Sequence, residues 1–332
     1  MSHYDVYGIG HALVDVELPA PDLFLAQAGL QKGSMSLVDE ARQNQLLQQV
    51  ADWPQHRSCG GSSANTLIGL AQFGGRGFHA CKVADDEAGD FFAQDMQLHG
   101  VENSLHQTRS PGTTGRCLVF ITPDAERTMC THLGISEQFS TAQLSEPILS
   151  QAEYLYIEGY LVSSPSGQSA TVEAARMARK QGVKTALTFS DTSMITYFRS
   201  GLDAIIGDGL DLLFCNESEA MAYTESHTLE QAKSRLSRTA QTIGLTLGRR
   251  GASIYHGGRW IDIPGVPVQP LDSNGAGDLF AGAFLFGITH GYSLAKAGQL
   301  ACRAASVLVT QAGARLKAGQ ARTILNHQEP SS

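Results

Sequence analysis

The six cysteines of the chain, Cys59, Cys81, Cys117, Cys130, Cys215 and Cys302, are scattered and form no C-x-x-C pair. That argues against a disulfide framework or a zinc site and for a reducing compartment. No uninterrupted apolar run approaches a membrane span, and the start Met1-Ser2-His3-Tyr4-Asp5 lacks a charged-then-apolar signal pattern. A cytoplasmic location without a membrane partner is therefore expected. Positive charge is short: 24 Lys and Arg against 32 Asp and Glu leave a formal net charge of −8, which disfavours nucleic acid as a partner. No Gly-x-x-x-x-Gly-Lys-Ser/Thr stretch occurs, so a P-loop phosphate cradle is excluded. The dinucleotide fingerprint is incomplete as well. Gly8-Ile9-Gly10 follows a strand-like Val6-Tyr7, but Leu13 stands where the third glycine belongs. No repeat or low-complexity linker divides the 332 residues, so one domain over 1–332 is expected, large enough to bury a substantial core.

What is present centres on Leu271-Asp272-Ser273-Asn274-Gly275-Ala276-Gly277-Asp278, followed by the apolar run Leu279-Phe280-Ala281-Gly282-Ala283-Phe284-Leu285. The run reads as a buried helix whose first turn presents unpaired N–H groups, and two glycines flanking an alanine let a ligand oxygen approach the backbone. This is an anion site with a carboxylate, Asp278, placed to take a proton from a hydroxyl. An ordinary capped helix start would account for Asp272 alone.

Elsewhere the pattern alternates between strand and helix. Cys59-Gly60-Gly61-Ser62-Ser63-Ala64-Asn65-Thr66 is a second Gly-rich helix start, with Ser62 or Ser63 the expected N-cap. A short strand is expected at 35–38, a helix at 39–53, a strand at 78–83 and a helix after Asp86. Arg116 to Thr122 and Arg127 to Thr131, joined through Pro123-Asp124, read as a hairpin suited to a lid. The βα alternation then resumes through Tyr154 to Ile157 and Thr185 to Phe189, implying a parallel sheet. After Leu212-Leu213-Phe214, Asn216 and Glu219 have capping-box spacing. A strand at 242–247, a hairpin over 252–263 and a last helix at 294–310 follow, and the tail after Leu316 reads as frayed.

Taken together, Gly60 to Asn65, Asn216 to Glu219 and Asp272 to Asp278 resemble the ribokinase superfamily, the PfkB carbohydrate kinases, over nearly the whole chain. Within it the adenosine kinases are most similar, through Gly10 to Asp15, Thr114-Gly115-Arg116-Cys117 and Asp211 to Ala220. The resemblance implies an α/β, ribokinase-like three-layer sandwich: a central, mainly parallel sheet and a small β lid from segments of about 13–18, 33–38 and 107–133. It implies phosphoryl transfer from ATP to a sugar CH₂OH, with Asp278 as base and Gly275, Ala276 and Gly277 holding charge on the phosphoryl group. His11, Leu13, Asp15, Leu37, Gly60, Gly61, Ser62, Asn65 and Tyr160 would bind the acceptor, with Arg127 as a phosphate clamp. Asn216 and Glu219 would hold Mg²⁺ through water, and Asn216, Thr246, Gly248, Gly251 and Ser306 would line the nucleotide side. A monovalent cation, if used, would sit near Asp272 and Ala312-Gly313-Ala314.

The acceptor this implies is the 5′-hydroxyl of adenosine, giving AMP. The alternatives are a ketose or pentose such as fructose or ribose, or a binding regulator without catalysis. His11 stands where adenosine kinases carry Asn, and Arg116 is larger than usual for the lid strand; facing the pocket, it would suit a charged sugar. An exposed lid face would pair with a second copy in a dimer or be covered within a monomer.

Overall fold

The computed structural model describes residues 3–106, 109–124 and 126–326. Of the lid segment expected at 107–133, residues 107, 108 and 125 lie outside the described residues. Among the described residues, fourteen strands form two sheets. They are β1 (Tyr4–Ile9), β2 (Leu13–Pro19), β3 (Met35–Leu37), β4 (His56–Gly60), β5 (Gly77–Ala80), β6 (Val101–Asn103), β7 (Thr114–Ile121) and β8 (Arg127–Gly134). The second half adds β9 (Ala152–Glu158), β10 (Lys184–Thr188), β11 (Leu210–Asn216), β12 (Ala240–Thr246), β13 (Gly251–His256) and β14 (Arg259–Pro264).

The large sheet runs β14-β13-β12-β11-β10-β9-β1-β5-β6 and is parallel except for the antiparallel edge pair β13 and β14. Its strands are buried on both faces, and their alternation divides the core in two. Val6, Tyr156, Ala186, Leu212 and Phe214 pack with the helices Ser62–Gln72, Ala276–Thr289 and Leu294–Leu308. Their neighbours Tyr7, Leu155, Ile157, Leu187 and Leu213 pack with Pro165–Gln181 and Thr192–Ile206. The helix Ala276–Thr289 is buried from Leu279 to Gly287, as expected of an apolar run between the sheet and two other helices.

The small sheet, β3-β8-β7-β2-β4, is the lid. It includes β4, which the sequence reading did not place there. Register puts Asp15 opposite Cys117 on β7, and Cys117 opposite Thr131 on β8. Asp15, Glu17, Cys117, Val119, Arg127 and Met129 therefore share the inner face. Val14, Val16, Leu18, Leu118 and Phe120 share the outer one. That outer face is covered within the chain by Leu25, Leu46 and Val50, with Phe24 tilted against Phe120 and Trp53. Of the two outcomes expected for the lid face, covering within the chain holds for the outer side, through the helices Asp22–Gln27 and Glu40–Gln49, while Met35 and Leu37 on the inner side stay exposed.

Other details differ from expectation. The helix read at 39–53 ends at Gln49, and the strand read at 78–83 ends at Ala80. The N-cap of Ser62–Gln72 is Gly61, at φ 98° and without a side-chain cap, not Ser62 or Ser63. The tail forms a helix, Gln320–Asn326, seated by Ala321 and Ile324. The helix Thr192–Ile206 had no sequence counterpart; its kink at Phe198 interrupts the apolar period.

Candidate active site

The site residues gather where parallel strands end, the place open α/β sheets present to ligands. His11 follows β1, Glu158 ends β9, Asp191 follows β10, Asn216 ends β11 and Thr246 ends β12. The lid brings Asp15 and Gly60 over them: the Asp15 carboxylate lies within 2.5 Å of where a Cβ on Gly60 would stand, so only glycine leaves it room.

The helix beginning at Ala276 has Gly275 as its N-cap, at φ 70°, and a Cβ there would lie 2.6 Å from the Ala314 side chain. Glycine is required by backbone and packing alike. Gly277 is exposed, and nothing lies within 4 Å of its would-be Cβ; the first turn is open on that side. Asp272 is not the cap. Its carboxylate accepts from Asn274 N (3.0 Å) and Gly313 N (2.9 Å) and pairs with Arg127 (2.7 Å), joining this loop to Ala312-Gly313-Ala314 and to the lid.

Asp278 accepts from Ser62 Oγ at 2.6 Å and Asn65 Nδ2 at 3.3 Å, so the two Gly-rich helix starts meet. Burial pushes its pKa up to about 6, and these two donors hold it from going higher. Near neutral pH it is largely ionised and can accept a proton. Asp15 is pushed up to about 7 by burial, with Arg315 opposing. Glu219, raised to about 7 by burial, accepts from Asn216 N (2.9 Å) and Nδ2 (2.7 Å), while Asn216 Oδ1 accepts from Glu219 N. The capping box is real. Among the described residues no group of three His, Cys, Asp or Glu could hold a metal; Mg²⁺ held through water would have Asn216 and Glu219 as the nearest fit to the expected role.

Other sequence-derived candidates are placed less directly. Arg127 pairs with Glu17 (3.1 Å) as well as Asp272, so a phosphate would have to compete with two carboxylates. The Tyr160 hydroxyl lies 3.4 Å from the Ser190 carbonyl. Leu13 is half-buried, whereas Leu37 is 66 % exposed. Ser306 is buried and donates to Arg303 O within its own helix. Thr246 Oγ1 is 3.5 Å from Cys215 O, and Gly248 and Gly251 bracket the turn carrying Arg249 and Arg250. Arg116 lies opposite Val14, on the lid's outer face, so it does not meet the acceptor. His11 is buried and neutral, its pKa lowered to about 4 by burial, with Nδ1 3.1 Å from Ser136 Oγ.

Sequence reasoning missed Glu158, Asp191 and Arg315. Glu158 ends a strand and Asp191 follows one, each just before a helical segment, a position that could have flagged them. Arg315 carried no signal: it pairs with Asp95 at 2.9 Å and donates to Cys59 O across a large sequence separation.

The raised carboxyls have a consequence for stability. Asp15 and Glu219, near 7, and Glu158, near 8, bind protons in the fold at pH values where unfolded carboxyls have released them. Their contribution is complete below about pH 4 and is lost as pH rises through the folded values. Without ligand, the melting temperature should fall between pH 6.5 and 8.5; a flat or rising trend in calorimetry would contradict these assignments.

A helix start with an open first turn, a half-buried carboxylate beside it and a β lid above the strand ends together fit a phosphotransferase acting on a hydroxyl. A profile of the pfkB family carbohydrate kinases matches residues 38–320, and the chain belongs to that family. The solved adenosine kinase from Sinorhizobium meliloti superposes with a TM-score of 0.88 at 34% identity, covering 98% of this chain and 99% of that one. Adenosine kinase from Saccharomyces cerevisiae is 26% identical over 319 residues, 86% of this chain and 89% of its own. Ribokinase from Haemophilus influenzae is 25% identical over 265 residues, 77% and 82% respectively. The protein is thus a sugar or nucleoside kinase of this family, an ATP-dependent activity that implies Mg²⁺. No described helix is long and apolar enough to cross a membrane.

Proposed function

We propose that the chain phosphorylates the 5′-hydroxyl of a nucleoside, adenosine first among them, with Asp278 as base. The observation carrying this reading is the lid's inner face. Met35 and Leu37, 47 % and 66 % exposed, lie beside Met129 and Thr131 in register, with Leu13 further along the same face. A purine would cover this apolar surface, while a free sugar has nothing to lay against it. Asp15, Gly61 and Asn65 would grip ribose hydroxyls. The first turn over Gly275, Ala276 and Gly277 would hold the γ-phosphoryl, and Mg²⁺, when bound, would neutralise charge between the phosphates. Asp278 takes the hydroxyl proton, and Ser62 and Asn65 keep its carboxylate aimed.

Charge supports an uncharged acceptor. Asp15, Glu17 and Asp278 line this region, and the nearby cations Arg127 and Arg315 are each paired to carboxylates. An anionic sugar acid would meet repulsion with no cation to offset it. The alternative, a ketose or pentose kinase, shares that neutrality. The in-chain covering of the lid supports a monomer.

A phosphorylation panel with ATP-Mg²⁺ tests this. Adenosine and inosine should exceed ribose and fructose by about 10²-fold or more in kcat/KM, roughly the worth of burying a flat apolar group. No turnover of 2-keto-3-deoxygluconate is expected. Preference for a free sugar would overturn the nucleoside reading, and turnover of the sugar acid would overturn the charge argument.

A further inference from the structure

Glu158 is 1 % exposed and forms no salt bridge among the described residues. A buried carboxyl without a cation is costly unless backbone donors satisfy it. Two do: Oε2 accepts from Ser63 N at 2.8 Å and Oε1 from His11 N at 3.3 Å. Ser63 N is among the first donors of Ser62–Gln72, a helix whose N-cap, Gly61, offers no side chain. Glu158 therefore caps that helix from another strand. The neighbouring loop is shaped to admit it: a Cβ on Gly10 would lie 2.4 Å from Oε2 and 2.5 Å from the Ser63 side chain.

The two segments so joined are the loop from Gly10 to Asp15 and the turn bearing Ser62 and Asn65, the two side chains bonded to Asp278. We infer that Glu158 is a positioning residue for phosphoryl transfer, clamping the acceptor loop to the helix start that aims Asp278. The inference rests on the assignment of Asp278 as base. Burial raises the Glu158 pKa to about 8, so near pH 7 it is mostly neutral and adds little negative charge to a pocket already rich in carboxylates.

The test is a double-mutant cycle of Glu158→Gln and Asp278→Asn on the full chain, read as kcat, KM for ATP and KM for the acceptor. Glutamine keeps the shape but turns an amide donor toward one of the two N–H groups. Alone, Glu158→Gln should lower kcat about 10- to 100-fold, the scale of a sub-ångström to ångström misplacement, raise the acceptor KM and leave the KM for ATP unchanged. In the Asp278→Asn background it should cost little more, because a residue acting through Asp278 has nothing left to aim. Wild-type kcat in Glu158→Gln, or the same fold-loss in both backgrounds, would overturn the inference. Should Glu158→Gln fail to fold, the cycle is run with Glu158→Asp, to which the same outcomes apply. Full activity of Asp278→Asn itself would instead overturn the proposed chemistry.

Discussion

Asp278→Asn is expected to lower kcat by about 10³-fold, within the range a positioned general base supplies, while acceptor and ATP still bind. The fold should tolerate the change. Asn65 Oδ1 is buried without a hydrogen-bond partner among the described residues, so turning the Asn65 amide would offer that oxygen to the new amide at 278. Burial disfavours the Asp278 charge, and removing it should leave the melting temperature unchanged or raised near pH 7.5. The wild-type kcat/KM should follow ionisation of this carboxyl, falling as pH drops through about 6. The residual activity of the variant should lack that limb. Binding measured by calorimetry separates lost chemistry from lost affinity, and undiminished turnover would refute the base assignment.

The parts of this site that were legible in sequence are those where one short segment carries its own physics. Asp272 to Asp278 couples permissive backbone, a helix start and a carboxylate within seven residues, so the glycine-requiring turn and the open first turn found there could be expected from it alone. Asn216 and Glu219 announce a capping box by spacing, and both reciprocal bonds form. The parallel sheet followed from βα alternation, because strands buried on both faces leave nearly continuous apolar runs such as Tyr154 to Ile157.

What was not legible depends on contacts between distant segments. Arg116 looked able to charge the pocket until pairing with Val14 put it on the outer face; one residue of register decides this, and spacing along one strand cannot supply it. Asp272 had the look of a cap, yet its partners are Gly313, from the far end of the chain, and Arg127, from the lid. Glu158 has no motif because it acts on backbone N–H groups, which any sequence provides. The closed outer lid face rests on Leu25, Leu46 and Val50, in a segment whose periodicity was too mixed to assign a partner.

Gly277→Ala is expected to separate activity from stability, and its neighbour Gly275 supplies the contrast. At 275 the backbone is left-handed and a methyl would press on Ala314. Gly275→Ala should therefore destabilise the fold by about 1–3 kcal/mol, the cost of such backbone strain before any packing change. Gly277 lies in the regular first turn with open space around its Cβ position. Alanine there should be neutral or stabilising by up to about 1 kcal/mol, from the difference in helix propensity. The same open space is where a phosphoryl group would have to approach the free N–H donors. A methyl in it should cost about 10²-fold or more in kcat, comparable to the loss of one donor to a developing anion. Thermal unfolding and steady-state kinetics on the two variants decide the matter. A Gly277→Ala protein that melts no lower than wild type and barely turns over marks the residue as one kept for the reaction. Full activity in that variant would mean that the phosphoryl group does not approach the helix on this side.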